Sequence, residues 1–305
     1  MRIRGVEIED TFAEAFGMKG ARVIVTAEDE RWTLEAARSF TGFATSVIGC
    51  KCEAGIERLL PPEETPDGRP GASLLLFAFD TDGVGKRLLE RVGQCILTCP
   101  TTACFDGLPQ AQRRAPVGGP LRVFGDRHQA SKLLGGRRYW RIPVMEGEFL
   151  VEETFGVVEA VGGGNFLVLA ESPRAAREAC EAAVDAMRRV PEVILPFPGG
   201  VVRSGSKVGS LYKGLSASTN DAYCPTLRGA VASRLPPAVQ SVLEIVIDGL
   251  SDKAVAESMR VGILAAARPG VVAISAGNYG GKLGKFHFKL REILNGDADG
   301  KGAAS

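Results

Sequence analysis

The chain has 305 residues, 45% of them hydrophobic and 24% charged, and its 37 Lys and Arg against 36 Asp and Glu leave a formal net charge of +1. These are ordinary globular proportions at a length that fills one or two domains, and the balance removes the electrostatic case for nucleic acid or an anionic membrane as partner. Apolar runs such as ASLLLFAF at 72–79 fall short of the ~18 residues of a spanning helix, and the charged start MRIRGVEIED does not read as a signal peptide, so a cytoplasmic protein is expected.

Taken in chain order, the elements repeat. EDTF at 9–12 leads into the apolar stretch ARVIVTAE at 21–28, then a helix, ERWTLEAARSF, that stops at Gly42, and a short strand, TSVIG at 45–49. A strand SLLLFAFD at 73–80 follows, then a helix VGKRLLERVGQCI at 84–96 whose Val84, Leu88, Val92 and Ile96 form one apolar stripe, then a strand TTACF at 101–105. After a join near MEGEF at 145–149, EETF at 152–155 and GNFLVLAE at 164–171 repeat the opening at a constant offset. The second half continues with a helix begun by Ser172 and Pro173, a strand EVILP at 192–196, a strand VLEIVIDG at 242–249, a helix SDKAVAESMRVGILAAA at 251–267 and a strand VVAIS at 271–275. Each half reads β-α-β-β-α-β. The expected fold is α/β (α+β) with two related ferredoxin-like lobes at 1–148 and 149–296, and a disordered tail at 297–305.

The cysteines, at 50, 52, 95, 99, 104, 180 and 224, are odd in number and fit reduced thiols better than a disulfide framework. Cys95, Cys99 and Cys104 have the spacing C-x3-C-x4-C, which matches no standard cluster or zinc pattern, so small core residues are the favoured reading and no metal is expected. Only His128 and His287 are present, which argues against an imidazole metal site or a Ser-His-Asp triad.

Glycine and polar residues concentrate in loops that have two readings, tight turns or the rim of a polar cleft. The cleft reading draws on Gly164, Asn165, Gly199, Gly200, Ser204, Ser206, Lys207, Asn278, Tyr279 and Lys282 as substrate-binding candidates. Within PFPGGVVRSGSKVGS, Gly200 and Gly205 have P-loop spacing, but Ser206 displaces Lys207 by one place and Val208 replaces the hydroxyl that would hold magnesium. Glu244 interrupts the apolar strand Val242–Ile247, and matching Asp80 with Asp248 sets it opposite Leu76 in the first half. A desolvated carboxyl there acquires a raised pKa and becomes a proton donor near neutrality; the competing reading is an edge strand with one wet face.

Together, EDTFAEAF, TPDGRPG, VGQCILTCPTTACFD, EGEF, GGNF, PFPGG, SGSKVGS, CPTL, EIVIDG and SAGNYGGKLGK resemble the formylmethanofuran:tetrahydromethanopterin formyltransferase family, in order along nearly the whole chain except 107–140. The resemblance implies two related α/β lobes, a homotetramer and no prosthetic group or metal. It implies formyl transfer between a methanofuran-type amine and tetrahydromethanopterin, both bound in clefts, without a covalent enzyme intermediate. Glu244 falls on the family's strand glutamate and is expected to be catalytic, stabilising the oxyanion or relaying the proton to the leaving amine. The alternative is a non-catalytic scaffold or C1-carrier-binding subunit of a formyltransferase/hydrolase complex, and partner subunits of that kind are a further expectation.

Overall fold

A computed structural model describes residues 1–296, and the 297–305 tail lies outside the described residues. The protein is a mixed α/β fold. Its contacts divide it into two units, one of residues 18–160 and one of residues 1–17 with the chain from 161 onward. The divisions fall inside two long strands, Phe12–Thr26 and Thr154–Ala170.

In the 18–160 unit the strands are ordered Glu53–Leu60, Gly71–Ala78, Phe12–Thr26, Ala103–Asp106, all antiparallel. Gly147–Glu152 then adds in parallel, and a meander of Arg137–Val144 and Ala130–Leu134 extends the sheet. The helices Glu30–Thr41 and Thr81–Arg91 start where Asp29 and Asp80 accept backbone N–H bonds from Trp32 and Gly83, the N-cap geometry that satisfies orphan donors of a first turn. The stripe of Val84, Leu88, Val92 and Ile96 is fully buried against Leu74, Leu76 and Phe40. At ~25 cal/mol per Å2, burying each such side chain contributes about 1.5–3 kcal/mol.

One sequence expectation changes here. TSVIG is not the second strand: Val47–Cys50 is a short helix, and the strand is Glu53–Leu60. The carboxylates of EAGIERLL hid that strand, because Glu53 accepts the Val47 N–H at 2.9 Å and Glu57 is bound by Arg22 and by Ser73, at 2.6 Å. Residues 107–140 also carry regular structure. Arg113–Pro116 pairs with the start of Thr154–Ala170, and Asp106 holds the turn by accepting from Leu108 and Gly156 at 2.9 Å and pairing with Arg114 at 2.7 Å.

In the other unit the order is Val193–Ile194, Ser241–Gly249, Thr154–Ala170, Val271–Ser275, again antiparallel, with Val6–Ile8 added in parallel. Helices Pro173–Met187 and Asp252–Ala266, capped by Ser172 and Ser251, cover one face through Ala179, Cys180, Met187, Met259 and Ile263. They pack closely at Gly262, where an added Cβ would lie 2.5 Å from Met187 Sδ. The opposite face of this sheet is covered by the long connection 195–240, whose Leu235 and Val239 pack on Leu167, Leu169 and Ala273.

The strand frames correct one sequence alignment. Ser73 pairs with Ile24 and Glu244 with Leu167, and these positions are equidistant from the helix caps Asp29 and Ser172, and Asp80 and Ser251. The counterpart of Glu244 is therefore the buried Ser73 and not Leu76; Asp80 is a helix cap whereas Asp248 lies inside a strand. No described helix is long and apolar enough to cross a membrane.

Candidate active site

Glu244 is held by its backbone on both edges. It donates to Val202 O at 2.9 Å and accepts from Val202 N at 2.7 Å, and it pairs with Leu167 on the other side. Its neighbours Ile245 and Ile247 are fully buried in the helix-covered core, so strand alternation turns Glu244 to the face covered by 195–240. There it is half-buried and lines two cavities of about 310 and 260 Å3, which share Leu167, Asn220, Tyr223 and Glu244. Burial pushes its carboxyl up to about 7. A carboxyl so poised has substantial protonated and ionised fractions at neutrality, which suits it to give and take a proton.

The smaller cavity gathers Asn165, Ser206, Lys207, Asn278 and Tyr279 from the sequence candidates, and the larger contains Ser204. Asn165 is a brace as well as a wall: it donates to Gly163 O and Gly277 O at 3.1 and 3.2 Å and accepts from Gly277 N at 2.6 Å. Asn278 donates to Thr11 Oγ1 and Phe12 O, both at 3.2 Å. Tyr279 is raised by burial and by the charge of Glu244, while its hydrogen bond with Ser206 acts in the opposite sense. Lys207 is ion-paired with Asp221, which holds that carboxyl below its usual range. The segment around Lys207 is a small hairpin, Lys207–Val208 paired with Ala217–Ser218, and no helix begins there as a P-loop would require.

The remaining candidates lie outside these two cavities. Gly164 serves packing, since a Cβ there would meet Val255 Cγ1 at 2.4 Å. Gly199 and Gly200 form a turn with φ of 66° and 83°, and Lys282 is exposed in the loop after Tyr279. Sequence reasoning missed Asn220, Asp221, Tyr223, Arg234 and Arg203, which the 195–240 connection brings to the cavities. It also missed Glu14, although EDTFAEAF presents a charge in a strand. Glu14 is 1% exposed and accepts four backbone N–H groups from the Tyr279–Gly284 loop.

Cys104 is buried, and Cys95 and Cys99 are half-buried free thiols. Among the described residues, no three His, Cys, Asp or Glu side chains stand together as a metal site. Cys224 donates to Asn220 O at 3.4 Å on the wall of the larger cavity.

Two family models match end to end along the chain: formylmethanofuran-tetrahydromethanopterin formyltransferase over residues 1–144, and the proximal lobe of the same enzyme over 147–293. The chain belongs to the formylmethanofuran-tetrahydromethanopterin formyltransferase family. A formyltransferase of that name from Methylobacillus flagellatus is 62% identical, covering 96% of this chain and 100% of the relative. The Methanosarcina barkeri enzyme superposes with a TM-score of 0.92 at 50% identity over 96% of this chain and 100% of that one. A formyltransferase/hydrolase complex from Methylorubrum extorquens, solved with methylofuran, contains a chain matching at TM-score 0.94 and 54% identity over 96% of this chain and 98% of that chain. Within this formyltransferase family member, the residues gathered at Glu244 come from the strand Thr154–Ala170, the 195–240 connection, the strand Ser241–Gly249 and the loop 276–279.

Proposed function

We propose that the chain transfers a formyl group between a methanofuran-type amine and tetrahydromethanopterin by direct attack in a ternary complex. The observation that carries the chemistry is Glu244, a carboxyl lifted to about 7 on a wall common to two cavities. One cavity takes the reacting end of each carrier. The attacking pterin nitrogen forms a C–N bond to the formyl carbon, and the carbonyl oxygen becomes an oxyanion. Protonated Glu244 donates a hydrogen bond to that oxygen, a contact stronger in the transition state than in the ground state. Collapse breaks the C–N bond to the furan-carrier amine, which takes a proton from Glu244, and the proton shed by the attacking nitrogen restores the carboxyl. The transfer is redox-neutral as written and calls for no prosthetic group.

We also read the protein as two copies of a ferredoxin-like lobe in the sequence halves 1–148 and 149–296. Support comes from the common strand order, second, third, first, fourth, with a helix after the first and the third. A homotetramer, and hydrolase-complex partner subunits of the kind named for the Methylorubrum extorquens structure, complete the proposal. Purified protein mixed with the formylated furan carrier and tetrahydromethanopterin should yield formyl-pterin; no product under any carrier pairing would reject the activity and favour a carrier-binding subunit. Light scattering on the same sample reports the assembly.

A further inference from the structure

We propose that Glu14 is a positioning residue for formyl transfer: its carboxylate fixes the 279–284 loop through four backbone amides and so holds Tyr279 in the cavity wall beside Glu244. This rests on the reading of Glu244 as proton donor. Oε2 accepts from Tyr279 N at 2.7 Å and Gly281 N at 2.9 Å, and Oε1 accepts from Leu283 N at 2.6 Å and Gly284 N at 2.5 Å. These bonds span 265 to 270 residues of sequence, so they are a tertiary device and not a local turn.

The loop is built around that carboxylate. Gly280 and Gly281 have φ of 74° and 71°, a turn that brings the Tyr279 and Gly281 amides to one carboxylate oxygen, and at Gly284 a Cβ would lie 2.6 Å from both Ala15 O and Glu14 Cγ. Burial alone would raise the Glu14 pKa, and the amides of Gly284, Tyr279, Leu283 and Gly281 more than offset it, so the group stays ionised. His287 is its cross-strand neighbour and lies with its ring 4.9 Å from that of Phe12. An ionised carboxylate accepts from all four amides, whereas an amide side chain turns an NH2 toward two of them, which breaks the loop at its root. Tyr279 is the one residue of the anchored loop that reaches the Glu244 cavity. Its ring helps exclude water from a carboxyl whose other charged or titratable neighbours are Lys207, Asp221, Arg234 and Tyr223 in one cavity and Arg203 and Cys224 in the other.

The test reads the Glu244 carboxyl directly, without turnover, by infrared titration, its band assigned by loss in Glu244→Gln. Glu14→Gln should lower the Glu244 midpoint from about 7 toward 4.5. It should also lower kcat by on the order of 10–100-fold with a smaller change in KM, as expected for misplaced catalytic geometry. Tyr279→Ala should move the midpoint in the same direction, and the double variant should go no lower than Tyr279→Ala alone. Should Gln prevent folding, Glu14→Asp carries the test, since the charge remains while its reach shortens. A folded Glu14 variant with a wild-type Glu244 midpoint overturns the proposal, as does a double variant whose shift is the sum of the two; because the midpoint needs no substrate, either result is separable from failure of the formyl-transfer reading.

Discussion

The two strands that hold Ser73 and Glu244 have the same place in the same pairing order, and they differ in what lies over them. The first is preceded by a short connection, 61–70, and every residue of Gly71–Ala78 is buried, with Ser73 closed onto Glu57 at 2.6 Å. The second is preceded by the long connection 195–240, and Ser241–Val246 is only half-buried apart from Ile245. One frame therefore makes a satisfied core position in one unit and a desolvated ionisable one in the other. The difference lies in the insertion, because a carboxyl at Glu244 gains cavities to line and walls to desolvate it only when 195–240 folds over that face.

The sharpest break of the comparison is at Glu244 itself. Glu244→Gln keeps a hydrogen-bond donor for the oxyanion but no proton to pass to the leaving amine, so it should retain substrate binding and lose about 10²–10³ in kcat, roughly 2.7–4 kcal/mol, in steady-state formyl transfer. Ser73→Ala, at the equivalent position, should leave kcat within about twofold. A variant at 244 that keeps wild-type kcat would reduce the strand to one with a wet face.

Stability should divide the other way. Arg114→Ala strands the Asp106 carboxylate, 4% exposed as a residue and bound also by two backbone N–H groups, and should cost about 3 kcal/mol in denaturant unfolding. Folded Arg114→Ala protein should keep its kcat, because the ion pair lies in the unit without Glu244.

The pH dependence follows from Glu244. Its folded value of about 7 lies above the ordinary 4.5, so between those values the folded state holds a proton that the unfolded state has released. The contribution of this group is complete below pH ~4.5 and is lost as pH rises through about 7, a full swing on the order of 3 kcal/mol. Unfolding measured at pH 5 and pH 8 should therefore show Glu244→Gln gaining stability relative to wild type at the higher pH. Equal gains at both would mean that the carboxyl is not desolvated. The kcat of the wild-type enzyme should decline over the same range as the donor form is depleted.

A smaller effect is expected at Lys207. Lys207→Ala should raise KM for one carrier about tenfold, near 1.4 kcal/mol, with kcat little changed. Asp221→Ala removes the resident partner and should lower that same KM or leave it; a rise would assign the carrier contact to Asp221 instead. The smallest effect is Ser73→Ala on stability, about 1 kcal/mol for one buried hydrogen bond.

The sequence by itself determined the local and the repeated. The caps at Ser172 and Ser251, the stripe from Val84 to Ile96 and the anomaly at Glu244 are all set by neighbours within a few residues, where period and capping chemistry act. The strand Glu53–Leu60 was illegible because its buried carboxylates are satisfied by Val47, Arg22 and Ser73, partners that no hydrophobic pattern displays. Likewise, Leu76 and Glu244 align by counting from aspartates, and only the pairing register reveals that Ser73 is the true counterpart. Tertiary structure alone decided which glycine loops line a cavity and which are turns, why Lys207 has Asp221 as its partner, and that Glu14 serves a loop 265 residues away. Periodicity reports which face of an element is buried, but a carboxylate and four amides meet only where the topology has already brought two distant segments to hydrogen-bonding distance.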